Sequence, residues 1–326
     1  MNLINTYKNK LVKGLVLLFL IVMLVYSDAA FRGASSGLLL WFHNVLPTLL
    51  PFIIVSNLIV RLNISKQICK VFHPFLGRIF HISSEGCYPI IIGFLSGLPM
   101  GAKTSADLVI EGRISHKEGQ FLFTMCNNAS PMFIIGYIAI TQLRLPHIKF
   151  ALFVIIYGAA ILGALFYRYL LRQVKQEKDI PLKQTQLMSE VKQGSSRFTF
   201  DLLDSSIMNG FEIVTRIGGY IILFSILAQI MKETLPGSGL FKASLMGLFE
   251  ITTGISQICN ADINMNIKIV LISALTAFGG LSGVAQTKSV LQASRLSINT
   301  YIVAKLISAA FALILALLYV TLIHIQ

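Results

Sequence analysis

Four short stretches of this sequence interrupt apolar runs with residue types that recognition chemistry uses. They are Gly93-Phe94-Leu95-Ser96-Gly97-Leu98-Pro99-Met100-Gly101-Ala102-Lys103, Cys126-Asn127-Asn128-Ala129-Ser130-Pro131, Phe249-Glu250-Ile251-Thr252-Thr253-Gly254, and Phe278-Gly279-Gly280-Leu281-Ser282-Gly283, the last continuing through Gln286 to Lys288. Glycine lets a backbone approach a ligand closely, and Ser, Thr, Asn and Gln supply short hydrogen-bonding side chains. Where a helix breaks inside a membrane, half-helix N-termini offer free N–H groups and a positive dipole end to an anion, while unwound carbonyls hold cations. The candidate substrate-binding residues are therefore Ser96, Gly97, Lys103, Asn127, Asn128, Ser130, Glu250, Thr252, Thr253, Gly280, Ser282, Gln286 and Lys288.

The charged members carry two readings each. Lys103 and Lys288 lie a few residues beyond a break, which suits countercharges for an anionic substrate; the alternative is snorkelling to an interface or pairing with an acid. Glu250 opens the third break as either a site for a coupling proton or sodium ion, or a buried carboxylate capping the N–H groups of the following turn. Asn127, Asn128 and Ser130 either contact substrate or satisfy the backbone freed by Pro131, and both roles are compatible. Glu212 and Arg216, four apart, read as a local ion pair, and His43 and Asn44 as packing or interface groups. The sequence holds no HExxH, GxSxG, P-loop or paired aspartates in a GxGD-like setting, so no enzyme, resident cofactor or ATP-driven step is expected. Cys69, Cys87, Cys126 and Cys259 form no CxxC pair and read as small buried hydrophobes; no metal site is expected.

The elements that must position these residues are membrane helices. Of 326 residues, 55% are apolar and 13% charged, with a mean hydropathy of +0.75; a soluble chain would be about 25% charged. Crossing about 30 Å of hydrocarbon takes roughly 20 helical residues, and such segments recur throughout. Lys8, Lys10 and Lys13 precede the apolar run Gly14 to Tyr26, read as an uncleaved first helix, with a signal peptide cleaved near Ser27-Asp28-Ala29 as the alternative. Leu38 to Val60 is a span bent by Pro47 and Pro51. Ile64 to Phe80 has the apolar spacing of a helix lying in the interface. Cys87 to Ile110 reads as a re-entrant hairpin, Phe121 to Ile140 as a discontinuous helix, and Phe150 to Leu171 as an ordinary span.

After the hydrophilic linker Gln173 to Thr199 the plan repeats. Met208 to Ile230 is a span, Leu240 to Cys259 a hairpin, Ile267 to Ala293 a discontinuous helix, and Tyr301 to Ile323 the last span, giving seven crossings in all. Matching breaks are offset by 157 residues (Gly97 to Gly254) and 152 (Ser130 to Ser282). The organisation is thus an N-terminal helix and loop (1–37), a first repeat (38–172), a cytoplasmic linker (173–200) and a second repeat (201–326). Three crossings per repeat is an odd number, so the second must enter from the opposite face. With a cytoplasmic N-terminus most Lys and Arg fall on the cytoplasmic side, as the positive-inside rule expects. The net charge of +13 is therefore an orientation signal and implies no nucleic acid. Inverted repeats with paired broken helices point to a secondary transporter whose site lies where the breaks meet.

Together with Val45-Leu46-Pro47-Thr48-Leu49-Leu50-Pro51-Phe52, the four breaks resemble the YlbJ family of sporulation integral membrane proteins, from about Leu38 to the C-terminus. The resemblance implies a nucleoside-recognition gate domain and an all-α, inverted-repeat fold, with two re-entrant hairpins and two discontinuous helices, similar to concentrative nucleoside transporters. It also implies a role in endospore formation, where a family member is held to move dipicolinate, a planar pyridine dicarboxylate, across the outer forespore membrane. The expected partners are the lipid bilayer and a small anionic substrate, with a homo-oligomer left open. The competing expectations are a nucleoside-type transporter and a non-transporting scaffold or accessory protein of spore envelope assembly.

Overall fold

A computed structural model describes residues 2–62, 64–173, 198–236 and 239–323. Residues 174–197, most of the expected linker, lie outside the described residues. Among the described residues every regular element is helical. Helices α1 (Asn2–Val25), α2 (Ser27–Leu40) and α3 (Leu46–Arg61) come first, with a π-helical turn at Trp41–Val45 joining the last two. Next are α4 (Ile64–Phe80), α5 (Cys87–Ser96), α6 (Met100–Ile110), α7 (His116–Cys126), a π-helical segment Phe133–Gln142 and α8 (Lys149–Gln173). The second half holds α9 (Phe200–Thr234), α10 (Gly239–Phe249), α11 (Ile251–Asn260), α12 (Met265–Phe278), α13 (Gly280–Val290) and α14 (Ile298–Ile323).

The packing is that of a multi-pass membrane protein. Large apolar side chains such as Phe150, Val154, Leu317 and Leu318 face outward, while Asn127, Asn128, Glu250, Ser282 and Lys305 are buried. In water that distribution would be strongly unfavourable; in hydrocarbon it satisfies the polar groups inside. Four helices are long and apolar enough to cross, or six if each of two sharply bent pairs counts as one span. Seven crossings were expected. The difference lies in the N-terminal region, where the chain bends by 102° at Tyr26, and in α7, which the break at residues 127–130 separates from its continuation.

Residues 27–37, expected as loop, form α2 instead. Their small residues explain why: Gly33 and Gly37 lie one turn apart, and a Cβ on either would run into Ser225, Ile222 or Ile226 of α9. Without side chains there, the two helices approach closely and gain the dispersion contacts that drive association in lipid. Ahead of Pro47 the helix widens, so that Leu46 N–H bonds Trp41 O five residues back, which relieves the clash of the proline ring with the preceding turn. Trp41 Nε1 then donates to Val214 O of α9 at 2.8 Å. Beyond Arg61 the chain turns by 95° into α4, whose Val71, Phe72, Phe75 and Ile79 are exposed and whose Ser65 and Cys69 are buried, the placement of a helix lying along the interface.

Helices α5 and α6 pack as a hairpin, as do α10 and α11. An ion pair between Arg113 and Glu85 staples the mouth of the first, so its two ends leave on one side. Near that mouth Arg168, late in α8, donates to Phe80 O at 2.5 Å. Gln120 of α7 exchanges two hydrogen bonds with Ser297 at the start of α14. The mouth of the second hairpin sits at the other end of α9, where Lys242 Nζ donates to Lys232 O at 3.4 Å and Lys268 Nζ to Cys259 O at 2.7 Å.

Candidate functional site

Both hairpin tips come to the helix breaks. At the first tip, Gly97 has φ of +79°, a region open to glycine, and a Cβ there would also strike the backbone of Ser130. The next residue, Leu98, donates its N–H to Asn128 O at 2.7 Å, and its side chain reaches to where a Cβ on Gly279 or Gly283 at the other break would meet it at 3.6 Å. Gly279 and Gly280 also have positive φ, +86° and +71°, so α12 ends and α13 begins within a sharp turn. The second tip, Phe249 to Ile251, lies against Gly280, and Tyr137 of the π-helical segment donates to Thr252 O at 3.1 Å.

These pieces line a half-open cavity of about 370 Å³, within the range of small-molecule sites. From the first half its wall includes His43, Asn44, Leu98, Ser130, Phe133 and Tyr137; from the second come Ile217, Glu250, Thr252, Gly279, Ser282 and Gln286. Phe133 and Tyr137 stack with ring centroids 5.0 Å apart and give the cavity an aromatic face. No side chain caps the N-terminus of α13, and Gly279, Ser282 and Gly283 from that turn line the cavity.

Of the residues expected from sequence, the structure brings Ser130, Glu250, Thr252, Ser282 and Gln286 to this wall. Glu250 is the N-cap of α11: Oε1 accepts from Thr252 N and Oγ1 at 3.1 and 2.9 Å, and Oε2 from Thr253 N at 2.7 Å. Such bonds give about 1.5–3 kcal/mol each when one partner is charged. Gln286 Nε2 donates to Ser282 Oγ at 3.0 Å. Gly97, Asn127, Asn128, Thr253 and Gly280 stand behind the wall as supports, and Ser96 is buried off the wall. Asn127 is a hub, accepting from Ala102 N and donating to Thr287 Oγ1 and Tyr301 OH.

Lys103 and Lys288 are not on the wall. The Lys103 ammonium is 2.7 Å from Asp107 one turn on, a partner already visible in the i, i+4 spacing; Lys288 is exposed. Three residues not singled out beforehand take part instead. Tyr137 and Tyr157 tie the tips to neighbouring helices, Tyr157 OH donating to Phe94 O and Ala129 O at 2.8 and 3.0 Å. Lys305, the eighth residue of α14, donates to Asn128 Oδ1 at 2.5 Å. His43, expected as a packing group, lines the cavity.

A protein of Bacillus subtilis strain 168 described as sporulation integral membrane protein YlbJ is 26% identical over 340 aligned positions, covering 95% of this chain and 82% of that relative. The chain is thus similar to YlbJ along nearly its whole length. YlbJ is an integral membrane protein by description, which agrees with the apolar outward surface and the membrane-length helices found here. No family model matches the chain, and no solved structure matches it.

Proposed function

We propose that this protein is a secondary transporter of a small planar organic anion, of the pyridine dicarboxylate kind, acting in endospore formation in the bacterial cell membrane or outer forespore membrane. The observation that carries the reading is the meeting of both hairpin tips and both breaks, drawn from both halves, on one cavity. Hairpin mouths at opposite ends of α9 support two inverted repeats, the arrangement that lets one half rock against the other around a fixed site. In this reading a carboxylate faces the uncapped start of α13, where Gly279, Ser282 and Gly283 line the cavity and N–H groups and the helix dipole favour negative charge, and the ring lies against Phe133 and Tyr137. Lys103 and Lys288 are left out of the site, being off the wall. The name of the relative supports the sporulation setting and is silent on the cargo.

A nucleoside-type cargo is the second reading, favoured by the neutral amides and hydroxyls of Asn44, Ser130, Ser282 and Gln286 on the wall. Uptake by proteoliposomes decides between them: labelled pyridine-2,6-dicarboxylate should enter and labelled nucleosides should not. Gly136→Phe tests the cavity, because Gly136 lines it and a Cβ there meets nothing closer than 3.9 Å, so the ring has the cavity to fill. The variant should fold and lose uptake by about tenfold or more, a barrier change of roughly 1.4 kcal/mol. Undiminished uptake by this variant would remove the cavity from the route, and absence of uptake for every compound would favour a scaffold.

A further inference from the structure

One buried charge is unused by the proposed site. Lys305 is 1% exposed, on the face of α14 that also buries Tyr301, Ala304, Ser308 and Ala312. Its ammonium donates to Asn128 Oδ1 at 2.5 Å and stands 5.6 Å from the centroid of the Tyr301 ring. Among the described residues it makes no ion pair with a carboxylate. An ionisable group so deep in a membrane-spanning helix is unfavourable unless it has a task there.

The surroundings indicate the task. A helix broken inside a membrane leaves carbonyl oxygens, and transporters commonly coordinate their coupling cation with them. Here protein donors occupy those oxygens: Asn127 O accepts from Tyr301 OH at 3.4 Å, Asn128 O from Leu98 N at 2.7 Å and Ala129 O from Tyr157 OH at 3.0 Å. The side-chain oxygen of Asn128 takes the ammonium, and the ring of Tyr301 supplies a second cation-binding surface. Asn128 thereby links Lys305 to the hairpin tip through a single residue.

We propose that Lys305 is a tethered cation: its ammonium fills, at the α7 break, the place a free coupling ion would take, so the break and the first hairpin tip are held together without sodium. The structural part stands independently of what is transported. Its consequence for transport, sodium-independent uptake, rests on the proposed function.

The test uses purified full-length protein without substrate. Lys305→Ala should lower the thermal midpoint by roughly 5 °C or more, and methylammonium chloride should restore most of the loss where the same concentration of N-methylglucamine chloride does not. Wild type should unfold at the same temperature in sodium and N-methylglucamine salts. Stabilisation of wild type by sodium, or a Lys305→Ala protein indifferent to which cation is added, would overturn the proposal. Should that variant fail to fold, Asn128→Asp and Asn128→Leu decide. A carboxylate facing an ammonium raises the midpoint and an isobutyl group lowers it, whereas equal losses in both would mean that no cation is held there. In liposomes, uptake by wild type should be independent of sodium and uptake by Lys305→Ala should return with methylammonium. If wild type takes up nothing, the transport reading fails alone, and the unfolding measurements still decide the tethered cation.

Discussion

Glu250 shows how much a single side chain does at these breaks. It is 1% exposed and its two carboxylate oxygens accept three bonds from the first turn of α11: two from the backbone N–H groups of Thr252 and Thr253, which have no intrahelical acceptor, and one from the Thr252 hydroxyl. Glu250→Ala removes all three and should destabilise by about 2–4 kcal/mol; Glu250→Gln keeps one acceptor oxygen and should cost about half as much. Thermal unfolding in detergent reads both, and a Gln variant as stable as wild type would show that the cap does not need the charge. The capping role was legible, because a Glu before Thr-Thr-Gly has that chemistry. The inward lysine was less so, since a single ammonium barely lowers the hydropathy of a 26-residue apolar helix. Helical phase held the missing information: Lys305 falls on a face with Tyr301, Ser308 and Ala312, whereas Lys103 has Asp107 one turn on.

Elements pack here by what their small residues leave out. A Cβ on Gly101 of α6 would meet the Cys126 carbonyl and Asn127 N, so the first hairpin rests directly on the backbone of the break, and that contact sets where Leu98 projects. Gly101→Val should destabilise by about 3 kcal/mol, near the upper range for overpacking, whereas Gly219→Val, on a stretch of α9 where a Cβ meets nothing within 4 Å, should stay within about 1 kcal/mol of wild type. Comparable losses in both would mean that the effect is general to glycine in these helices. The two hairpins and two broken helices were readable because Gly, Pro and polar residues interrupt apolar runs at matching places. Helix α2 was not read because Arg32, Ser35 and Ser36 lower its hydropathy; its informative signal is the Gly33 and Gly37 pair, a packing pattern that hydropathy does not register.

At the scale of the whole chain, the two hairpin mouths carry the argument. Glu85 and Arg113 close the first beside the end of α8 and the start of α14, while Lys242 and Lys268 close the second at the far end of α9. Helix α9 has 35 residues and so spans about 52 Å, more than the roughly 30 Å of hydrocarbon. The proposed inverted arrangement puts its two ends, and the mouths with them, on opposite aqueous faces. The sequence's charge bias assigns the first mouth to the cytoplasm, since Arg61, Arg78, Arg113 and Lys117 cluster there. Single cysteines at Ser84 and Asp262, both exposed beside a mouth, convert this into an experiment in a Cys259→Ser background. A membrane-impermeant thiol reagent applied to intact cells should label Asp262→Cys, and Ser84→Cys only after permeabilisation. Labelling of both from one side would eliminate the inverted arrangement and, with it, the alternating-access route through the cavity; reversed labelling would keep the inversion and turn the protein over in the membrane.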